Sequence, residues 1–416
     1  MKIQKLQPVK GTKDILLDES ELFFHVMKVA QDAAKIYGYR EAYLPMFEFT
    51  EVFKRTLGEA SDVVNKEMYT FEDKGERSLT LRPEFTAGIV RDIISNNLWD
   101  KLPLKFFSAG PVFRYENPQQ GRYRQFNQIN LESIGARSSM IDAEMIVLAR
   151  EILDRLKLSN INLELNSLGD IDSRKKYSAA LVKYLTRYKN DLSEDSQVRL
   201  IKNPLRILDS KNPSDQKILK EAPIIEDYLT KKSFEFFEEL LKHLDALDIK
   251  YSINNKIVRG LDYYTDTVFE FITTELGAQD TVIAGGRYDG LFKIMGGTDT
   301  PAVGFACGIE RLMALYKGIV NIPKIIIALV LNKKFITQGL KLVQAIRKEN
   351  VSAIIEESKD VGKSIKKALN NNAKFIIFLG EDEMRQGKFK LKNLDTWEEK
   401  LLTESQLINE FKQNEF

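Results

Sequence analysis

Two short alternating runs joined by a loop of Asn, Pro, Gln and Gly occupy residues 113–132, FRYENPQQGRYRQFNQINLE, and predict an antiparallel hairpin. Side chains along a strand alternate between faces, so Arg114 and Glu116 point one way and Phe113 and Tyr115 the other. On the return run Gln128, Asn130 and Glu132 share a face, while Ile129 and Leu131 point to the opposite one, where they can enter a core. One wall is therefore apolar and the other carries polar groups of both signs. That combination fits a polar, zwitterionic ligand. It equally describes the solvated face of an antiparallel sheet, and this stretch alone does not separate the two.

The rest of the chain can be placed by the same patterning. Leu22, Val26, Val29, Ala33 and Ile36 recur at helical intervals, with Asp18 and Glu21 at capping-box spacing and Gly38 as a stop. In residues 39–53, Pro45 marks an edge strand or a bend. Residues 78–82 alternate as a strand and run through Pro83 and Glu84 into a helix. Glu84 and Thr86 thus stand where a strand meets a helix, a place that suits an ammonium group and that also, more commonly, serves to cap the helix. Residues 140–156 read as a helix and 160–167 as a strand. From 170 to about 247 the composition shifts to Lys, Asp, Ser and Leu, with helical stretches broken at Pro204, Pro213 and Pro223, which predicts an inserted helical subdomain.

Strand-like sequence resumes in KIVRGLDYYTDTVFEF, residues 256–271. Arg259 beside Gly260 can approach a ligand closely, and Tyr263 and Tyr264 add hydroxyls and flat apolar area. Residues 301–312 pass from an apolar strand through Gly304 and Gly308 into a helix. Arg311 falls in its first turn, where free backbone N–H groups already favour phosphate. Beyond residues 321–323, strand and helix alternate to the end and predict a small α/β domain. Two glycine-bearing strings are not phosphate loops: GKS at 362–364 has Glu357 where the upstream glycine is required, and GGRYDG at 285–290 lacks the GxGxxG spacing.

Composition narrows the field. A chain of 416 residues predicts two or three domains. No apolar run approaches the length of a membrane span, and the opening MKIQKLQPVKG lacks the apolar core of a signal peptide, so a cytoplasmic protein with no membrane partner is expected. Cys307 is the only cysteine and His25 and His243 the only histidines, which rules out an internal disulfide or a thiolate cluster and argues against a histidine-rich zinc site or a Ser-His-Asp triad. The net charge of +2 says little about nucleic acid. Residues 324–416 carry 17 Lys and Arg against 13 Asp and Glu, an excess that suits a nucleic-acid module but on charge alone is better read as solvated helix faces.

The string FRYE, a loop and a strand ending in Glu resemble motif 2 of the class II aminoacyl-tRNA synthetases, and GRYRQFNQ resembles the histidine-specific branch. LRPEFTA (81–87), RGLDYYT (259–265) and AGGRYDGL (284–291) resemble signatures of the histidyl-tRNA synthetase family. Residues 39–53 resemble motif 1, PAVGFACGIERL resembles motif 3, and KFIIFLGEDEMRQGKFKLKNL (374–394) resembles the family's anticodon-binding domain. The resemblance implies an α+β catalytic domain built on an antiparallel sheet with flanking helices (residues 1–169 and 250–320), a helical insertion (170–249) and a C-terminal α/β anticodon-binding domain (324–416).

It also implies ATP-dependent ligation of L-histidine to its tRNA through a histidyl-adenylate. Bringing a carboxylate to the α-phosphorus of ATP joins two anions, so cationic donors and positioning carry the step and no protein nucleophile is needed. By resemblance, Arg114 and Arg259 are the catalytic cations on the α-phosphate and the substrate carboxylate, with Arg259 standing where other class II enzymes place a metal ion. Glu116 meets the adenine amino group, Phe126 and Arg311 sandwich the base, and Arg122, with Arg124, reaches the outer phosphates. Glu84, Thr86 and Gln128 take the α-amino group, Glu132 and Tyr264 take the two imidazole nitrogens, and Tyr263 belongs to the same histidine site. The loop 117–124 meets the tRNA acceptor end, magnesium rides on the β- and γ-phosphates with no metal held by the protein itself, and the assembly is a homodimer.

An alternative is the regulatory paralogue of ATP phosphoribosyltransferase, which uses the same catalytic fold as a histidine-linked regulator but lacks the anticodon-binding domain and has a degraded RGLDYY segment. Both features are intact here. Departures from the family pattern are Phe85, Asn130 and Trp397 where Gly is frequent, Asn117 where Arg is frequent, and Asn127 in place of a common His.

Overall fold

A computed structural model describes residues 6–58, 63–118, 121–258, 263–277 and 281–413. The chain divides into two units, Met1–Gly318 and Ile319–Phe416. In the first, α1 (Asp18–Ile36) is followed by β1 (Arg40–Glu41), β2 (Phe47–Phe49), α2 (Thr50–Leu57), β3 (Thr70–Glu72), β4 (Ser78–Leu81), α3 (Thr86–Ser95), β5 (Leu104–Phe113), β6 (Gln125–Ile134), α4 (Ser139–Arg155) and β7 (Asn162–Ser167). Next come α5 (Ile171–Leu185), α6 (Glu194–Lys202), α7 (Pro213–Ile218) and α8 (Lys231–Ala246), then β8 (Ser252–Ile253), β9 (Thr265–Ile272), β10 (Thr281–Arg287), α9 (Leu291–Ile294), β11 (Ala302–Gly308) and α10 (Ile309–Leu315).

Among the described residues, eight strands form the main sheet in the order β1-β5-β6-β11-β10-β9-β7-β8. The six central strands pair antiparallel, while β1 on β5 and β8 on β7 are parallel two-residue edges reached by crossovers. The predicted hairpin is β5–β6. It is longer than its sequence signature, pairing Leu104 with Ile134 through to Phe113 with Gln125. Arg114, Tyr115 and Glu116 therefore lie just past the strand end, where the Arg114 N–H donates to the Arg124 carbonyl at 2.8 Å and closes the mouth of the loop.

One face of the sheet forms the larger core. Ile129, Leu131, Phe269, Phe271, Ile283 and Val303 pack there against Val26, Ala30 and Ala33 of α1, Ile146 and Ala149 of α4, and Leu240 and Leu244 of α8. The small alanines let α1 sit close to the sheet. The capping box expected at its start does not form: the helix begins at Asp18 itself, after Leu17 at φ 54° with no side-chain cap, and Asp18, Glu19 and Glu21 instead place negative charge in the first turn. A second core gathers Phe53, Phe85, Ile89, Ile93, Tyr264, Tyr288 and Phe292 under α2, α3 and α9. Beside it β2, β4 and β3 make a separate three-stranded sheet with β4 central, which the sequence pattern did not predict.

The helical stretch after β7 has its own apolar centre, including Tyr177, Leu181, Leu185, Leu200, Ile207 and Ile225. Asp215 is fully buried in it and accepts hydrogen bonds from the hydroxyls of Ser193, Ser196 and Ser210 at 2.6–2.7 Å. The last helix of the stretch, α8, buries its apolar side in the main core rather than in this one.

In the second unit β12 (Ile325–Val330), α11 (Ile336–Arg347), β13 (Ala353–Glu357), α12 (Val361–Asn370), β14 (Ala373–Leu379), α13 (Glu381–Arg385), β15 (Phe389–Asn393), β16 (Glu399–Leu402) and α14 (Glu404–Gln413) follow the predicted alternation, with β16 and α13 added. The sheet order is β13-β12-β14-β15-β16, parallel in its first three strands and antiparallel in the last two. Among the described residues no helix is long and apolar enough to cross a membrane.

Candidate active site

The polar face of β6 is not solvated. Gln128, Asn130 and Glu132 are 8%, 2% and 1% exposed, and the first two line a cavity region whose open volume is about 280 Å³. Register explains how three polar side chains fit on a buried face. Their neighbours on β11 are Gly308, Ala306 and Gly304, and on β5 Gln128 faces Gly110 and Asn130 faces Ser108, so small residues clear the space. Of the residues anticipated for the site, Glu84, Thr86, Arg114, Glu116, Arg122, Phe126, Gln128, Tyr263, Tyr264 and Arg311 line the cavity. Arg259 lies outside the described residues.

Glu132 sits just behind the cavity wall. Its Oε1 accepts from the Thr86 hydroxyl at 2.6 Å and from Asn130 Nδ2 at 3.1 Å, and its Oε2 accepts from the Tyr288 hydroxyl. Burial nonetheless outweighs these donors and pushes the carboxyl up to about 7. Glu84 is a helix cap: its oxygens take the N–H groups of Thr86 at 2.5 Å and Ala87 at 2.9 Å at the start of α3, while burial raises its pKa. The aromatic side is stacked. Tyr263 and Tyr264 lie with ring centroids 4.8 Å apart, and Tyr288 meets Tyr263 edge-on at 5.7 Å.

Cations occupy the other end. Arg114 donates to the Pro83 carbonyl at 2.9 Å, and its guanidinium lies 5.5 Å from the centre of the Phe126 ring. Arg122 pairs with the buried Glu116, and Arg311 donates to the Thr281 carbonyl. Glu310, beside Arg311, accepts from the backbone and side-chain amides of Asn127 at 2.9–3.0 Å, tying the turn before α10 to the start of β6. Arg124 turns away from the cavity. Its guanidinium covers the Tyr115 ring at 3.8 Å, its Nε reaches the Glu116 carbonyl at 3.1 Å, and its backbone N–H donates to Gly11 at 2.7 Å, which straps the loop to the N-terminal segment.

A pocket that pairs acceptors and phenols at one end with guanidinium groups at the other matches the sequence signatures it is built from. The family model described as histidyl-tRNA synthetase matches residues 11–312, and that described as anticodon binding domain matches residues 324–414. The chain belongs to the histidyl-tRNA synthetase family. It is 51% identical over 402 residues to the histidine--tRNA ligase of Rickettsia canadensis (strain McKiel), covering 96% of this chain and 97% of that one. The corresponding ligase of Rickettsia bellii (strain RML369-C) is 49% identical over 412 residues and 99% of both chains. The crystal structure of apo S. aureus histidyl-tRNA synthetase superposes with a TM-score of 0.83 at 32% identity, covering 98% of this chain and 100% of that one. These relatives, and the match to an anticodon binding domain, do not favour the regulatory paralogue.

Within this histidyl-tRNA synthetase fold three site residues escaped the sequence reading. Tyr288 reaches Glu132 from 156 positions away, Asn130 was placed on the polar face but given no role, and Glu310 was passed over for its neighbour Arg311. The available signal was the string AGGRYDGL, whose Arg and Asp hold the tyrosine between them. Arg287 is fully buried and pairs with Asp142 and Asp289, and Arg137 bridges Asp289 to Asp266. That charged layer anchors the Tyr288 backbone.

Proposed function

We infer that the protein joins L-histidine to its cognate tRNA in two steps, first forming histidyl-adenylate from histidine and ATP. The observation that carries this reading is a single cavity in which a wall of buried acceptors and phenols faces Arg114, Arg122 and Arg311. Arg114 holds the α-phosphate and stabilises the charge that builds on it as the carboxylate attacks, and Arg259 holds the substrate carboxylate in position. Phe126 and Arg311 stack on the adenine, a role suited to an aromatic ring and a planar guanidinium. Glu116 binds the base's amino group and Arg122 the outer phosphates. Their mutual ion pair is the resting arrangement that ATP must open.

Glu84, Thr86 and Gln128 receive the α-ammonium. Glu132 spends three of its four lone-pair positions on Thr86, Asn130 and Tyr288, which leaves one for a ring N–H, and Tyr264 takes the second ring nitrogen. A site built to satisfy both nitrogens rejects amino acids without them by roughly 10⁴-fold or more, because its buried polar groups would otherwise go unpaired. Magnesium, a hard cation that seeks oxygen, would enter with ATP and offset the charge of its phosphates. The carboxylates that line the cavity are already engaged with the α3 N–H groups, Arg122 and Asn127, which leaves the phosphates as the main ligands of that ion.

The domain division at residues 1–169 with 250–320, 170–249 and 324–416, a cytoplasmic location and a homodimer complete the proposal. Dimerisation is supported by Tyr43, Phe47, Phe49 and Phe71, which stand 44–87% exposed around the small sheet. Pyrophosphate exchange into ATP, run with each of the twenty amino acids, tests the reading. Exchange with histidine alone is expected, and exchange with another amino acid or with none would refute it.

A further inference from the structure

The wall of the cavity holds two buried carbonyl oxygens with no donor among the described residues, Gln128 Oε1 and Asn130 Oδ1. They belong to alternate residues of β6 and so lie side by side on one face. The Gln128 oxygen was foreseen as an amino-group ligand. The Asn130 oxygen was not, and a glycine, frequent at this position in the family, could not supply it. The direction of the Asn130 amide follows from its surroundings: Nδ2 is 3.1 Å from Glu132 Oε1 and 3.5 Å from the Phe305 carbonyl, both acceptors, so the oxygen is the end left without a donor among the described residues, on a residue that lines the cavity. Thr86 donates to that same Glu132 oxygen, which sets the Asn130 amide beside the threonine at the amino-group end.

A buried carbonyl left without a donor is costly, and two together define what relieves them. The matching group must bring at least two hydrogen-bond donors, which an ammonium group supplies. Each Glu84 oxygen already takes one N–H at the start of α3, and the Thr86 proton goes to Glu132, which leaves Thr86 to meet the ammonium through its lone pairs. Resting on the histidine-activating function proposed above, we propose that Asn130 is a substrate-binding and specificity residue whose Oδ1 accepts a hydrogen bond from the α-ammonium of histidine while its Nδ2 holds Glu132 in place. The two roles sit on opposite ends of one amide and can be separated.

The separating probe is 3-(imidazol-4-yl)propanoate, which keeps the ring and the carboxylate of histidine and lacks the amino group. Its affinity and that of L-histidine are measured by titration calorimetry on the full-length wild type and on Asn130→Ala and Asn130→Gly, with ATP binding as the check on folding. Loss of Nδ2 acts on both ligands through Glu132, so the ratio of the two affinities isolates Oδ1. The expected result is that L-histidine weakens at least about tenfold more than the desamino compound in both variants. Equal weakening of the two ligands, or no weakening of histidine, overturns the proposal while wild-type exchange with histidine keeps the functional reading intact. Failure of the wild type to bind histidine at all would bring down both.

Discussion

Arg174, on the first helix of the helical stretch, donates from Nη1 to the backbone carbonyl of Tyr264 at 2.8 Å. The bond ties a residue that does not line the cavity to the backbone of one that does. It joins α5 to the segment that carries the stacked tyrosines, so the position of that helix is felt at the histidine end of the site.

Removing this tie should loosen Tyr264 without touching the nucleotide. Arg174→Ala is expected to raise the KM for histidine by about tenfold or more in the exchange assay, the worth of one hydrogen bond from a charged donor, with the KM for ATP within twofold. Parallel changes in both constants would show that Arg174 supports the unit as a whole.

Glu132 gives a pH signature of defined sign. Its carboxyl is raised to about 7 from an ordinary 4.5, so the folded state keeps a proton that the unfolded chain releases. The associated stability is fully present below 4.5 and is lost as pH rises through 7, a change of roughly 3 kcal/mol. Glu132→Gln does not titrate. Its stability in urea relative to wild type should therefore improve from pH 5 to pH 8, while histidine binding is lost. A difference independent of pH would remove the buried carboxyl as its cause.

Gly304 faces Glu132 across the β6–β11 pair. A Cβ there would overlap the Glu132 carboxylate and stand 2.6 Å from the Leu131 carbonyl. Gly304→Ala is expected to lower histidine-dependent exchange by more than about a hundredfold and to cost about 1–3 kcal/mol of stability from overpacking. Near-normal exchange would mean that the carboxylate can move aside and still serve.

Phe47 and Phe49 point outward from β2, each 53% exposed. Light scattering at micromolar concentration should find the wild type dimeric and Phe47→Asp/Phe49→Asp monomeric, with exchange reduced in the monomer. A monomeric wild type would leave these rings in need of another partner.

Much of this site was legible because its information is local. Alternation along residues 125–134 separates Gln128, Asn130 and Glu132 from Ile129 and Leu131 whatever the sheet order turns out to be, and the strand-to-helix turn at Glu84 and the glycines before Arg311 announce themselves over a few residues. The second unit was readable for the same reason, since its strands and helices alternate at distinct periods.

What the tertiary structure decided is which distant groups meet. Placing β11 between β6 and β10 puts Gly308, Ala306 and Gly304 opposite the polar triple and makes its face a buried wall instead of a wetted surface. The same packing brings Tyr288 and Thr86 onto Glu132. It also turns Arg124 away to cover Tyr115, and it leaves the Asn130 oxygen without a donor among the described residues. Periodicity assigns each side chain to a face, but hydrogen bonds between residues far apart in the chain depend on strand order and on the space left by neighbours, and neither is written in any local pattern.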